Sequence, residues 1–232
     1  MKGKNSFTCL LVLFLLSITL PAHAATIGWT NWTSEGYGLP GFAYGSIDLP
    51  GGGTVTVSYT GENIQTGDPG NWSQYPSTYT DPGVVDNVPA PSNESIQLIG
   101  GNRLVDTITF SVPVVDPVLA IQSLGSGWDL ATYSFSEPFT LLAQGPGHWG
   151  GSNGSLTQNG ELLSGYEGNG IIQFDGTFSS ISWTVPDGEN YHMFTIGAPS
   201  AASPTPEPAT MFLMLAGIVG FIGVKIRKKK QA

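Results

Sequence analysis

Side chains able to do metal or nucleophilic chemistry are few and widely spaced. In 232 residues there is one cysteine, Cys9, and three histidines, His23, His148 and His192. His148 sits in Gly145-Pro146-Gly147-His148-Trp149-Gly150-Gly151, and glycines this dense let a ligand approach the backbone closely. With no cysteine or second histidine beside it, it completes no zinc set, so no metal site is assigned. His192 shares an alternating face with Phe194 and Ile196 and reads as a core histidine. No Gly-x-Ser-x-Gly elbow, Walker loop or His-Glu-x-x-His pair occurs. No catalytic residue is therefore assigned, and the body reads as non-enzymatic.

Carboxylates are plentiful but undiagnostic. A glycosidase needs two of them facing across a cleft, and with 17 acids some pair is inevitable. Asp68, Asp81, Asp175 and Asp187 lie at turns, where hydrogen bonds to their own backbone account for them. No cofactor is expected. Asp81-Pro82-Gly83 and Asp86-Asn87 could supply oxygen ligands to a structural calcium ion, although their spacing matches no EF-hand or calcium-repeat loop.

Aromatic residues are the better clue. Trp29, Trp32, Trp72, Tyr75, Tyr79, Trp128 and Trp149 lie in surroundings rich in glycine, proline and asparagine, whereas Trp183 sits in a strand-like segment and reads as core. Loop aromatics either stack sugar rings or anchor the ends of a sandwich. If a glycan site exists, Trp72, Tyr75, His148 and Trp149 are its candidates. Asn-x-Ser/Thr sequons at Asn31, Asn71, Asn93 and Asn153 fit surface loops.

The elements that must hold these groups are strands. The chain has 32 glycines, 17 prolines and 11% charged residues, against roughly 25% charged in an ordinary domain. That excludes a helical bundle, while 40% hydrophobic residues exclude a disordered chain. Period-two alternation recurs: Val55, Val57 and Tyr59; then Ile108, Phe110 and Val112; then Ala131, Tyr133 and Phe135; then Phe139, Leu141 and Ala143. Val118 to Leu124 is apolar on both faces and reads as a central strand. Residues 171–174, 178–185 and 191–196, joined by Asp175-Gly176 and Pro186-Asp187-Gly188, read as a three-stranded antiparallel meander. Nine or ten strands suggest an all-β antiparallel β-sandwich of jelly-roll type, with an up-and-down barrel as the alternative. Residues 61–93 read as a long proline- and tyrosine-rich connection.

Both ends read as addresses. Lys2 and Lys4, an apolar run from Leu10 to Leu20, and Ala22-His23-Ala24 make a secretory signal peptide over residues 1–24, cleaved after Ala24. Its removal takes Cys9 with it and leaves no disulfide chemistry. Residues 198–205 read as a linker. Pro206-Glu207-Pro208 follows, then an apolar run over 209–224 and a basic tail over 225–232. Sixteen residues make a helix of about 24 Å, slightly short of a bilayer core of about 30 Å. A single transmembrane helix is expected there, its basic end cytoplasmic. The formal charge of −9 conceals a split, because Arg103 is the only basic residue among the 16 acids of the body, which carries −15. Such a surface repels phosphate backbones, so nucleic acid is excluded as a partner.

The motif, apolar span and basic tail together resemble the PEP-CTERM sorting signal. Its family implies recognition of Pro206, Glu207 and Pro208 by exosortase, an integral-membrane processing enzyme of Gram-negative bacteria that make extracellular polysaccharide. It places Arg227 in the usual basic position and implies removal of the hydrophobic tail. Ser46-Ile47-Asp48-Leu49, Thr54 to Val57 and the stretch from Ile181 to Gly197 resemble PEP-CTERM ectodomains more loosely. The expectation is an exported, exosortase-processed surface or matrix protein, non-enzymatic, structural or adhesive near exopolysaccharide. Alternatives are a carbohydrate-binding module and a glycan-active hydrolase. Expected partners are signal peptidase and the secretion machinery, exosortase, the membrane before processing, and extracellular polysaccharide. The expected location is a membrane-anchored precursor exported across the inner membrane, then the cell surface or beyond.

Overall fold

Alternating apolar residues bury one face of a strand, and two such faces must meet to exclude water. A computed structural model describes residues 24–68, 71–90 and 95–201, and within them this pairing of faces builds an all-β fold. The strands are β1 (Gly28–Trp29), β2 (Asn31–Gly36), β3 (Gly38–Asp48), β4 (Thr54–Asn63), β5 (Gln65–Asp68), β6 (Ser95–Gly100), β7 (Asp106–Val115) and β8 (Val118–Leu124). They continue as β9 (Ala131–Phe135), β10 (Thr140–Gln144), β11 (Leu156–Asn159), β12 (Leu162–Gly165), β13 (Gly168–Gln173), β14 (Thr177–Thr184), β15 (Gly188–Ala198) and β16 (Ser200–Ala201). One sheet has the order β10-β13-β8-β15-β6-β5, with β1 beside β15. The other runs β11-β12-β9-β14-β7-β4-β3-β2, with β16 beside β7. All pairings between these strands are antiparallel.

The sheets face each other across one core. Val55, Val57 and Tyr59 of β4 meet Leu119 and Ile121 of β8 and Phe194 and Ile196 of β15 within it, and Trp183 packs there on Tyr59, Tyr133, Phe135 and Phe194. From β6 to β9 and again from β12 to β15 the chain changes sheet at every connection, so the two sheets of the sandwich are wound around one shared interior. The up-and-down barrel is overturned, because neighbouring strands in each sheet are mostly not consecutive in the chain.

The expected meander is also overturned. β13 and β15 flank β8 on its two sides, while β14 lies in the opposite sheet between β7 and β9. Asp175-Gly176 is therefore an arch across the core and not a hairpin. A matching arch at Asp116 bonds to it: the Gly176 N–H donates to Asp116 Oδ1 (2.7 Å), and the Asp116 N–H donates to the Gly176 carbonyl (2.7 Å). Both strands leaving these corners have an apolar face for the shared interior, so crossing buries more than pairing locally would.

Two further expectations change. Val112 is 45% exposed, because residues 110–113 of β7 bulge opposite a single residue of β14. Pro113 in that bulge has no N–H for a ladder. The connection expected over residues 61–93 instead completes β4, adds β5, and makes two short 3₁₀ turns, Trp72–Gln74 and Pro76–Thr78. Trp72, Tyr79 and Val85 then pack on Val118, Ala120, Ile171 and Met193 to form a second apolar cluster. This cover explains why all seven residues of β8 are buried. The sixteen strands of the described residues exceed the nine or ten expected.

The signal peptide with Ala22 and Ala24, and the sorting tail with Pro206, Glu207, Pro208 and Arg227, lie outside the described residues, Ala24 excepted. No helix among the described residues is long and apolar enough to cross a membrane. Of the linker expected over residues 198–205, Ala198 ends β15 and Ser200–Ala201 pair with Val115 and Val114, and residues 202–205 lie outside the described residues.

Candidate functional site

The glycan candidates do not stay together. Trp72 is 1% exposed, and its ring meets Tyr79 edge to face at 4.9 Å. It is a core residue of the cover and offers no surface to a sugar. Tyr75 is half-buried against the same cluster. Trp29 and Trp32, expected in loops, are buried on strands. Asn31 with its sequon stands on β2 and not in a loop. The calcium candidates each make hydrogen bonds within the chain. Asp81 Oδ1 accepts the Gly83 N–H, Asp86 Oδ2 accepts the Thr26 hydroxyl, and Asn87 bonds both N–H and carbonyl of Ile27.

His148 and Trp149 remain together at the surface. Their rings meet edge to face at 4.7 Å, and Trp149 meets Tyr191 in the same way at 5.2 Å. Trp149 is 41% exposed and lines a cavity of about 110 Å³ with Ser123, Ser126, Glu167, Glu189 and Tyr191. Ligand pockets for whole small molecules run to roughly 300 Å³ and more. This one has room for part of a ligand.

The cavity lies at the end of the sandwich where β8 stops, β13 starts and β15 enters. Ser123 and Glu167 both hold left-handed backbone, with φ of 61° and 50°, a conformation rare for residues with a Cβ. What holds them is Asn169, 1% exposed. Its Oδ1 accepts the Ser123 N–H (3.0 Å), and its Nδ2 donates to the carbonyls of Glu167 (2.7 Å) and Gly150 (3.1 Å). One amide thus ties the end of β8, the β12–β13 turn and the His148-Trp149 loop. Gly147 is obligatory beside it, because a Cβ there would stand 2.2 Å from Asn169 Oδ1.

Two carboxylates converge on the cavity. Ser123 Oγ donates to Glu167 Oε2 at 2.6 Å. Glu189 Oε1 accepts the Gly125 N–H at 2.6 Å and stands 2.7 Å from His192 Nδ1. The Glu189 side chain is 2% exposed, and His192 is completely buried. A carboxylate acceptor places the ring proton on Nδ1, and Nε2 has no partner among the described residues. His192 faces Tyr133 of the opposite sheet, with ring centroids 5.2 Å apart, so it is a core histidine with one nitrogen spoken for. Each carboxylate has a second oxygen that bonds to no described residue.

Deeper at the same end, Tyr59 Oη lies 2.6 Å from Asp106 Oδ1, which also accepts the Glu62 N–H at 2.8 Å. Asp106 is 1% exposed. Burial pushes its carboxyl up to about 6 against the partial relief of those two hydrogen bonds. Burial likewise raises the phenols of Tyr59 and Tyr133.

Sequence reasoning found His148 and Trp149 but missed Ser123, Glu167, Asn169 and Glu189. A signal existed: Ser164-Gly165-Tyr166-Glu167-Gly168-Asn169-Gly170 is nearly as dense in glycine as residues 145–151. The two stretches meet closely because Gly147 and Gly151 leave room for the Asn169 side chain and the Glu167 carbonyl.

The described body is an acidic all-β sandwich with a small cleft at one end. Residues 204–230 match the family model of the PEP-CTERM protein-sorting motif. The chain therefore carries that motif, which marks an exported protein addressed to exosortase. No curated protein and no solved structure matches the chain.

Proposed function

We propose that this is a non-enzymatic surface or extracellular-matrix protein with a structural or adhesive role near extracellular polysaccharide. The signal peptide starts its export, exosortase cuts near Pro206 to Pro208, and the apolar tail stays behind. The observation that carries the reading is the sorting motif at residues 204–230, a few residues beyond the last hydrogen-bonded strand pair, β16 with β7. A body charge of −15 supports a role outside the cell, where self-repulsion favours solubility. Comparing the intact mass of the protein from cells with and without exosortase tests it. Loss of residues 209–232 only in cells holding the enzyme is the expected outcome, and an intact basic tail in both would leave a plain membrane anchor.

A second reading, glycan contact by the folded body, is favoured by Trp149, an exposed indole at the rim of a cavity with hydroxyl and carboxylate walls. Exposed aromatic rings beside hydrogen-bonding groups suit the apolar face and polar rim of a sugar. The hydrolase alternative has two nameable carboxylates, Glu167 and Glu189, but each already holds a structural hydrogen bond. Binding therefore accounts for them more simply than turnover.

A further inference from the structure

We propose that the cleft between Trp149 and the Glu167–Glu189 pair is a subsite for a single residue of a neutral saccharide. This rests on the glycan-contact reading above and adds to it the site, the contacting groups and the ligand's charge class. The cleft has two unlike walls. Trp149 and Tyr191 supply an apolar one, their rings perpendicular at 5.2 Å. Ser123, Glu167 and Glu189 supply a polar one.

The polar wall is rigid before any ligand arrives. Glu189 is fixed through Oε1 by the Gly125 N–H and His192, and Glu167 is fixed through Oε2 by Ser123. Asn169 locks the backbone beneath Ser123 and Glu167. The second oxygen of Glu167 then serves as an acceptor at a set position, with the Glu189 side chain, 2% exposed, bracing the wall behind it, and a fixed acceptor costs a ligand little ordering entropy. An acceptor and an exposed indole lining one cleft suit a sugar ring whose C–H face lies on the tryptophan while a hydroxyl group donates to Glu167.

Size and charge narrow the choice. About 110 Å³ admits one edge of a pyranose but not a chain segment, so the rest of a polymer would run across the exposed rim. Two carboxylates on a body of charge −15 disfavour uronic acids, sulfated sugars and phosphates. A metal ion would find only these two carboxylates, and no cluster of three or more acidic, histidine or cysteine ligands occurs among the described residues.

The test uses the full chain purified in detergent, applied to an array of immobilised neutral oligosaccharides. Tryptophan fluorescence titrations with calcium chloride and with tetramethylammonium chloride run in parallel. At least one neutral glycan is retained, Trp149→Ala lowers its affinity tenfold or more, and Glu167→Gln lowers it threefold or more. Phe42→Ala, on the outer surface of the other sheet, leaves it unchanged. Equal unfolding midpoints establish that the variants fold. Undiminished binding by both cleft variants overturns the site while leaving glycan contact standing, and no retained glycan overturns both. Saturation by calcium or tetramethylammonium without any retained neutral glycan overturns the assigned ligand chemistry.

Discussion

Single residues in this protein show how burial decides a side chain's role. Asp106 is a carboxylate in a nearly dry interior, held by Tyr59 and the Glu62 N–H, with its pKa pushed up to about 6. Unfolding returns it to the ordinary carboxylate value of about 3.9. Between those values the folded state binds more protons than the unfolded one, so this group's contribution to stability falls as pH rises from 4 to 6. A shift of about two units corresponds to about 3 kcal/mol withheld above pH 6. Asp106→Asn keeps an acceptor for both donors and removes the charge. It should raise the urea midpoint at pH 7.5 and change it much less at pH 4. An equal effect at both values would show that Asp106 carries no such penalty. Trp72 makes the complementary case. Trp72→Ala should cost about 3–5 kcal/mol in denaturant unfolding, as for other buried aromatic truncations. An unchanged midpoint would mean that the indole is not packed against Tyr79.

Elements were legible from the sequence wherever their chemistry is local. Alternation identified the strands containing Val55 to Tyr59, Ile108 to Phe110 and Ala131 to Phe135, and the doubly apolar run placed Val118 to Leu124 at the centre of a sheet. Partner choice was not legible. Asp175-Gly176 has the composition of a tight turn, and nothing adjacent in sequence states that the chain will cross the core there and meet Asp116. The cleft was hidden for the same reason: Ser123, Glu167 and Glu189 join only after β8, β13 and β15 align. The paired arches make an element-scale prediction. Asp116→Ala deletes the acceptor for the Gly176 N–H and leaves a Cβ-bearing residue at φ 48°. A loss of about 0.5–1.5 kcal/mol is expected, because the bond is solvent-exposed and the freed N–H can turn to water. Hydrogen exchange should rise at Gly176 first. Unaltered exchange there would show that the arch does not need this bond.

At the scale of the whole molecule, address and body occupy different parts of the chain. The β7–β8 and β13–β14 arches stand at one end of the sandwich, and β16 pairs with Val114 and Val115 beside them. The cleft stands at the other end of β8, seven residues away, or about 23 Å at 3.3 Å per residue. The last described strand thus lies at the arch side of the sandwich, at the opposite end from the cleft. The central claim is that the segment after Thr205 is a sorting signal whose apolar tail exosortase removes, and not a lasting anchor. Intact-mass measurement on the protein recovered from exosortase-containing cells tests it most directly. The account predicts a chain ending near Pro208 in those cells and a full-length C-terminus where the enzyme is missing. A chain that keeps Lys228 to Lys230 in both would contradict it.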